Sequence, residues 1–130
     1  MSTELYMLAI AGGIILLLTL IQGTRNIFVL GLVTAAGNQH DIAPWSGWND
    51  RLNRAIKNQI EGIVIFAPIL LTVEFASLTN ESTALGAQIF VFARVAHAIV
   101  YTLGIPWVRT TAWATGVAGI AIVASPIVGL

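Results

Sequence analysis

Two long stretches of the sequence carry no charged side chain, and they constrain the fold more than any other feature. One lies between Glu4 and Arg25, and the other covers residues 110–130. A helix needs about 20 largely apolar residues to cross the hydrocarbon core of a bilayer. Each stretch therefore predicts a transmembrane helix, the first beginning near residue 5 and extending past residue 22 to about residue 30.

Two further segments, residues 53–78 and 84–105, are also long enough to span, although each contains ionisable residues. With spans at about 5–30, 53–78, 84–105 and 109–130, the sequence predicts an all-α integral membrane protein. It is a four-transmembrane-helix bundle in which residues 1–130 form one domain. Only 9% of the residues are charged, against about a quarter in a soluble domain.

The net charge of zero argues against a nucleic-acid partner, which requires a clustered basic surface. The chain has no Cys, which excludes disulfides, thiolate metal sites and a cysteine nucleophile. Residues 1–4 have no positive charge and the apolar run after them is long for a signal sequence, so we expect this segment to remain as the first span.

The basic residues predict the topology. They cluster at the first connection and at the third, whereas the second has only Glu74 and Glu81 nearby. By the positive-inside rule, we expect the first and third connections to face the cytoplasm and both termini to lie on the non-cytoplasmic side. The basic residues concerned are Arg25, Arg51, Arg54, Lys57 and Arg109, and the four Trp expected at the same interface are Trp45, Trp48, Trp107 and Trp113.

The connections are predicted to be turns. The first, residues 34–50, contains Pro44 and Ser46 among glycines, and its His40 is expected to be solvated. The third contains Pro106, which cannot continue a helix.

Several polar residues lie within the predicted spans, where a charge costs about 2.5–3.5 kcal/mol on insertion scales. A spacing of three, four and seven residues places Arg54, Asn58 and Glu61 on one helix face with Lys57 beside them, and it places the three polar residues of the third helix on one face. The second helix carries Arg54, Lys57, Asn58 and Glu61, the third carries Arg94, His97 and Tyr101, and the fourth begins with Arg109 and Thr110.

Two interpretations of this set are open. Arg94 could pair with Glu61 or Glu74 in a structural network, and Arg51, Arg54 and Lys57 could extend to anionic lipid headgroups. The excess of cations favours instead a partly buried pocket for an anionic ligand, helped by the free N–H groups at the start of the fourth helix. His97 lacks a second ligand at metal spacing, so no metal site is predicted.

The run from Arg54 to Glu61, RAIKNQIE, resembles the Arg-Ala-x-x-Asn-x-x-Glu motif of the MAPEG superfamily, the membrane-associated proteins in eicosanoid and glutathione metabolism. The run from Arg94 to Tyr101, RVAHAIVY, followed by Arg109, is similar to the third helix of that family and the start of its fourth. The resemblance covers most of the chain from Arg51 onward. Lys57 and Thr110 replace the Arg and Ser of the prostaglandin-synthase branch, which disfavours eicosanoid synthesis and points to a bacterial-type member.

The resemblance implies a homotrimer that binds glutathione between subunits near the cytoplasmic side. It assigns glutathione binding to seven residues: Arg54, Lys57, Asn58, Glu61, Arg94, His97 and Thr110. It assigns catalysis to Arg109, which would stabilise the glutathione thiolate, and to Tyr101. The expected activity is that of a glutathione-dependent transferase or peroxidase on lipophilic electrophiles or hydroperoxides that arrive from the bilayer. The alternative is a non-enzymatic subunit that packs in a larger membrane complex.

Overall fold

The computed structural model describes residues 1–37 and 47–130, and within these ranges the regular structure is helical. The helices are α1 (Thr3–Leu30), the short α2 (Leu32–Ala36), α3 (Trp48–Phe75), α4 (Glu81–Leu103) and α5 (Pro106–Ala124), followed by a 3₁₀ turn (Ser125–Val128). Four of the helical segments are long and apolar enough to cross a membrane: α1, α3, α4, and α5 with its 3₁₀ extension. The predicted fold class, an all-α membrane protein with four spanning helices, is confirmed.

The predicted spans overlap these four helices, but the second helix begins earlier than expected. It starts at Trp48 rather than at residue 53, so that Arg51 lies within its first turns. The expectations for His40, Pro44, Trp45 and Ser46 lie outside the described residues.

Local sequence explains where α1, α4 and α5 begin. The Ser2 side chain accepts a hydrogen bond from the Leu5 N–H and caps α1. Asn80 and Thr83 form a reciprocal capping box at the start of α4. Pro106 occupies the first turn of α5, where its missing N–H costs nothing.

The four long helices alternate in direction, so the bundle has two chemically different ends. At one end, which we call the Glu74 end, Ser2 donates a 2.8 Å hydrogen bond to Glu74, and Thr83 donates one to the buried Glu4. At the opposite end, which we call the Arg109 end, Gln22 donates a 3.0 Å hydrogen bond to Asn53. The basic residues of the predicted cytoplasmic connections therefore gather at one end of the bundle.

The backbones of helices α4 and α5 approach each other closely at two glycines. A Cβ atom at Gly119 would lie 2.7 Å from the carbonyl oxygen of Gly86, and one at Gly86 would lie 2.9 Å from the carbonyl oxygen of Gly119. Glycines allow such close packing in membrane bundles. Because Phe66 and Phe90 stack beside this contact with ring centroids 3.9 Å apart, the core connects α3 to the α4–α5 pair.

Candidate functional site

An open groove of about 290 Å³ lies at the Arg109 end, and we call it the outer groove. It forms where the middle of α3, the last turns of α4 and the first turns of α5 come together. Five of its six lining residues were predicted from the sequence as site residues. The lining consists of Asn58, His97, Tyr101, Arg109, Thr110 and Trp113.

The wall of the outer groove is a short stack of side chains. The guanidinium carbon of Arg109 lies 4.7 Å from the centroid of the Tyr101 ring. The Tyr101 ring in turn lies 5.4 Å from that of His97, tilted by 51°. His97 and Tyr101 are four residues apart on α4, one helical turn, so their rings lie one above the other.

The turn between α4 and α5 brings Arg109 to this wall. α4 ends at Leu103, Gly104 adopts the left-handed conformation with φ of 79°, and α5 starts at Pro106. Arg109 is therefore in the first turn of α5, where N–H groups lack partners within the helix and the helix dipole is positive. Both features favour an anion at this position.

His97 is almost fully buried, with 2% of its surface exposed. Its Nδ1 atom has no hydrogen-bond partner within the described part of the chain. A buried polar atom without a partner is uncommon, and in a binding site a ligand or an ordered water satisfies it.

A second space, which we call the inner cavity, adjoins the outer groove and shares Asn58 and Trp113 with it. It has a volume of about 140 Å³. Asn58, Glu61 and Arg94 make one part of its lining polar, and most of the rest is apolar. Besides Asn58 and Trp113, the lining residues are Glu61, Gly62, Ile65, Phe90, Arg94, Gly116, Val117 and Ile120.

Arg94 is 4% exposed within a single chain, and amide groups of α3 hold it in place. Its Nε donates to Oε1 of Gln59 at 3.3 Å, and its Nη2 donates to Oδ1 of Asn58. Gln59 also donates a 2.7 Å hydrogen bond to the Arg94 carbonyl oxygen. Two adjacent amides of α3 thus fix both the backbone and the guanidinium of Arg94.

The direct ion pair expected between Arg94 and Glu61 is not formed. Among the described residues, the salt bridge present is that of Arg54 with Asp50, at 2.9 Å. Glu61 is exposed and lines the inner cavity together with Arg94. The two charges therefore face a shared space, and the amides rather than Glu61 satisfy the buried guanidinium.

Arg54 and Lys57 lie apart from the other predicted site residues. Both are exposed, and neither lines the outer groove or the inner cavity. Arg54 is held by Asp50 one turn earlier on α3, with 64% of its side chain exposed. Seven of the nine predicted residues are brought together in one chain, and these two are not.

Trp113 and Gln59 contribute to this region and were not predicted as site residues. Trp113 lines both spaces, although the sequence suggested only an interfacial anchor. Gln59 follows Asn58 directly, and its amide is buried in a membrane-spanning segment. An amide in such a segment requires a partner, and this is the signal that could have identified Gln59.

The described site residues provide two guanidinium groups, from Arg94 and Arg109, one carboxylate from Glu61, amides, the hydroxyl groups of Tyr101 and Thr110, and a ring nitrogen of His97 that has no partner among the described residues. Arg109 forms no ion pair among the described residues, and its guanidinium lies over the Tyr101 ring. Apolar side chains such as Ile65 and Val117 continue the site toward the membrane-facing surface. The fold and the site define an integral membrane protein of four spanning helices, with a cationic, partly apolar site at one end of the bundle.

The chain matches the MAPEG family over residues 3–127, nearly its full length. This protein therefore belongs to the MAPEG family, in agreement with the motif resemblance. The family includes glutathione-dependent transferases as well as non-enzymatic members. No curated protein matches the chain.

Proposed function

We propose that this protein is a glutathione-dependent transferase or peroxidase that acts on lipophilic electrophiles or hydroperoxides. The observation that carries the proposal is the arrangement of Arg109, whose guanidinium lies over Tyr101 in an open groove that, among the described residues, is lined by no carboxylate. A fixed cation without a counter-ion suits an anionic reacting group. Glutathione supplies the thiol, which explains how a chain without Cys can carry out thiol chemistry.

The donors and acceptors of the site fit a peptide with charged ends. Asn58, Arg94 and Glu61 offer an amide, a cation and an anion around the inner cavity. Thr110 and His97 line the outer groove, and the buried His97 Nδ1 has no hydrogen-bond partner among the described residues. Arg54 and Lys57, exposed on α3, are available to a ligand that extends beyond the groove or to a neighbouring subunit. In this proposal these seven residues bind glutathione.

Arg109 lowers the free energy of the thiolate relative to the thiol, which raises the nucleophilic fraction at neutral pH. The interaction is stronger for the ionised sulfur, so it contributes to the rate more than to binding. Tyr101 holds the guanidinium at the wall of the groove through its ring. An electrophile from the bilayer then accepts the sulfur lone pair, a carbon–sulfur bond forms and the leaving group departs. For a hydroperoxide, two glutathione molecules supply two electrons and give a disulfide, an alcohol and water.

We further propose that the chain works as a homotrimer in the membrane, with the Arg109 end on the cytoplasmic side and the cell's inner membrane as its location. Large apolar side chains are exposed along α1, including Leu16, Leu17 and Phe28. Lipid and neighbouring subunits would cover these side chains. A predominantly monomeric mass in mild detergent would contradict the trimer.

Calorimetry with the detergent-purified protein tests the proposal first. We expect saturable binding of glutathione and weaker binding of ophthalmic acid, in which a methyl group replaces the thiol group. Absence of glutathione binding would refute the enzyme and leave the non-enzymatic subunit of a membrane complex as the function.

The ultraviolet absorbance of the bound thiolate, titrated with pH, tests the role of Arg109. In the wild type the thiolate should form at lower pH than in free glutathione. Arg109→Ala should return the titration toward that of the free thiol and reduce kcat with a generic electrophile far more than it weakens glutathione binding. Identical titrations in the two proteins would show that Arg109 only anchors α5 at the lipid headgroups.

A further inference from the structure

Arg51 links the start of α3 to the end of α4. It is the fourth residue of α3 and is half-buried. Its Nε donates a 2.9 Å hydrogen bond to the backbone carbonyl oxygen of Thr102. Its side chain also lies against Gly104, since a Cβ atom there would be 3.3 Å from the Arg51 Nε. Arg51 thus contacts both the last turn of α4 and the residue that follows it.

The end of α4 shows why this contact is needed. The last four carbonyl groups of a helix have no partner within the helix. The N–H of Ile105 satisfies the carbonyl of Val100 at 3.0 Å, and the N–H of Gly104 satisfies that of Tyr101 at 3.0 Å. The next carbonyl, that of Thr102, accepts its hydrogen bond from Arg51. A cation at this position also complements the negative end of the helix dipole.

The turn that Arg51 holds is the one that brings Arg109 to Tyr101. Only Gly104 and Ile105 separate α4 from α5. Tyr101 lies just before this turn and Arg109 just after it. The backbone dihedral angles of Gly104 and Ile105 therefore set the distance between the guanidinium of Arg109 and the ring of Tyr101. Arg51 itself lines neither the outer groove nor the inner cavity.

We propose that Arg51 is a positioning residue for Arg109. It fixes the α4–α5 turn, and the turn in turn keeps the Arg109 guanidinium over Tyr101. The expected effect of Arg51 on catalysis rests on the proposed function. The stabilisation of the α4–α5 turn by Arg51 rests only on the contacts of Arg51. A guanidinium that merely extended to lipid headgroups would contact neither Thr102 nor Gly104.

Amide hydrogen exchange of Gly104 and Ile105 in the detergent-solubilised protein tests the hold on the turn. Arg51→Met removes the donor and keeps an apolar stem, and we expect the two amides to exchange about tenfold faster because the turn opens locally. Arg51→Lys keeps a donor and a charge and should restore slow exchange. Gly104→Ala provides a second probe, since a side chain at φ of 79° is strained and displaces Arg51.

The thiolate titration and kcat test the consequence for Arg109. In Arg51→Met the thiolate should form at higher pH, and kcat should fall about tenfold to a hundredfold, because small misplacements of a catalytic group are costly. The Kd for glutathione should change little, and Arg51→Lys should recover kcat. Arg25→Met is the matched control, since it removes a guanidinium from the same end of the bundle that lies over the Trp48 ring.

Two results would overturn the proposal. One is unchanged exchange in both Arg51→Met and Gly104→Ala. The other is faster exchange with an unchanged titration and kcat, which would make Arg51 a purely structural cap. If the wild type does not bind glutathione, the proposed function fails separately, and unchanged exchange in the two variants would still refute the hold on the turn.

Discussion

The guanidinium of Arg109 lies over the ring of Tyr101, with its Cζ atom 4.7 Å from the ring centroid. The two side chains come from different helices, and the contact crosses the turn formed by Gly104 and Ile105. The face of an aromatic ring is electrically negative and attracts a cation. The ring therefore holds the charged guanidinium at the wall of the groove. A carboxylate in its place would neutralise the charge, and the ring does not.

Tyr101→Phe and Tyr101→Leu separate the ring of this residue from its hydroxyl group. Phe keeps the ring under Arg109, whereas Leu removes a cation–π contact worth about 0.5–2 kcal/mol. We expect the glutathione thiolate in Tyr101→Phe to titrate as in the wild type, and in Tyr101→Leu to titrate closer to free glutathione. The ultraviolet titration measures both. If Phe is as harmful as Leu, the hydroxyl group and not the ring is the functional part of Tyr101.

Gln59→Leu tests what satisfies the buried Arg94. This substitution removes two hydrogen bonds, one to the Arg94 carbonyl oxygen and one from its Nε. Losing a hydrogen bond to a charged group costs about 1.5–3 kcal/mol, so thermal unfolding in detergent should occur at clearly lower temperature. Glu61→Gln is the matched control and should unfold near the wild-type temperature, because Glu61 is exposed and makes no ion pair with Arg94. If the unfolding temperature falls equally in the two variants, the interaction of Arg94 with Glu61 stabilises the protein as much as the hydrogen bonds of Gln59 do.

Gly119→Ala tests the close approach of α4 and α5. The added methyl group would lie 2.7 Å from both the Gly86 carbonyl oxygen and the Phe90 nitrogen, and neither backbone atom can move freely. Forced packing of this kind costs about 1–3 kcal/mol, which should lower the unfolding temperature. Gly116→Ala, one turn earlier on the same helix, is the control, since its nearest neighbour would be 3.6 Å away. An unchanged unfolding temperature in Gly119→Ala would show that α4 and α5 can move apart to accommodate the methyl group without loss of stability.

The sequence was sufficient for the fold class because hydropathy and length alone determine which segments can span a bilayer. Seven of the nine predicted site residues line the outer groove or the inner cavity, whereas Arg54 and Lys57, predicted from the spacing on α3, do not. Helical spacing also placed His97 and Tyr101 one turn apart on α4, where their rings lie 5.4 Å apart. These predictions depend only on local geometry.

The sequence could not determine which partner each polar group would choose. Glu61 and Gln59 are both on α3 within reach of Arg94 by helical spacing, and the charge of Glu61 made it the obvious partner. The rotation of α3 against α4 decides the outcome, and it buries Gln59 while leaving Glu61 exposed. The contact of Arg51 could not be predicted from the sequence either. Its hydrogen-bond acceptor is the backbone carbonyl oxygen of Thr102, and a pattern of side chains does not indicate a backbone acceptor.

A substitution of His97 can distinguish an effect on protein stability from an effect on glutathione binding. Its side chain is buried and contacts the Tyr101 ring, yet its Nδ1 has no hydrogen-bond partner among the described residues. His97→Phe keeps a ring against Tyr101 and removes both ring nitrogens, including Nδ1. Because no hydrogen bond to a described residue is lost, we expect the unfolding temperature to stay near that of the wild type.

Glutathione binding should respond differently to the same substitution. If a donor of glutathione meets Nδ1, then His97→Phe loses one hydrogen bond, and calorimetry should show a Kd about tenfold higher, equivalent to about 1.4 kcal/mol. His97→Asn is the matched variant, since its amide oxygen can replace the acceptor, and it should bind more tightly than His97→Phe. Equal glutathione affinities in the wild type and His97→Phe would show that Nδ1 does not contact the ligand. A large loss of stability in His97→Phe would instead assign the side chain to the packing of α4.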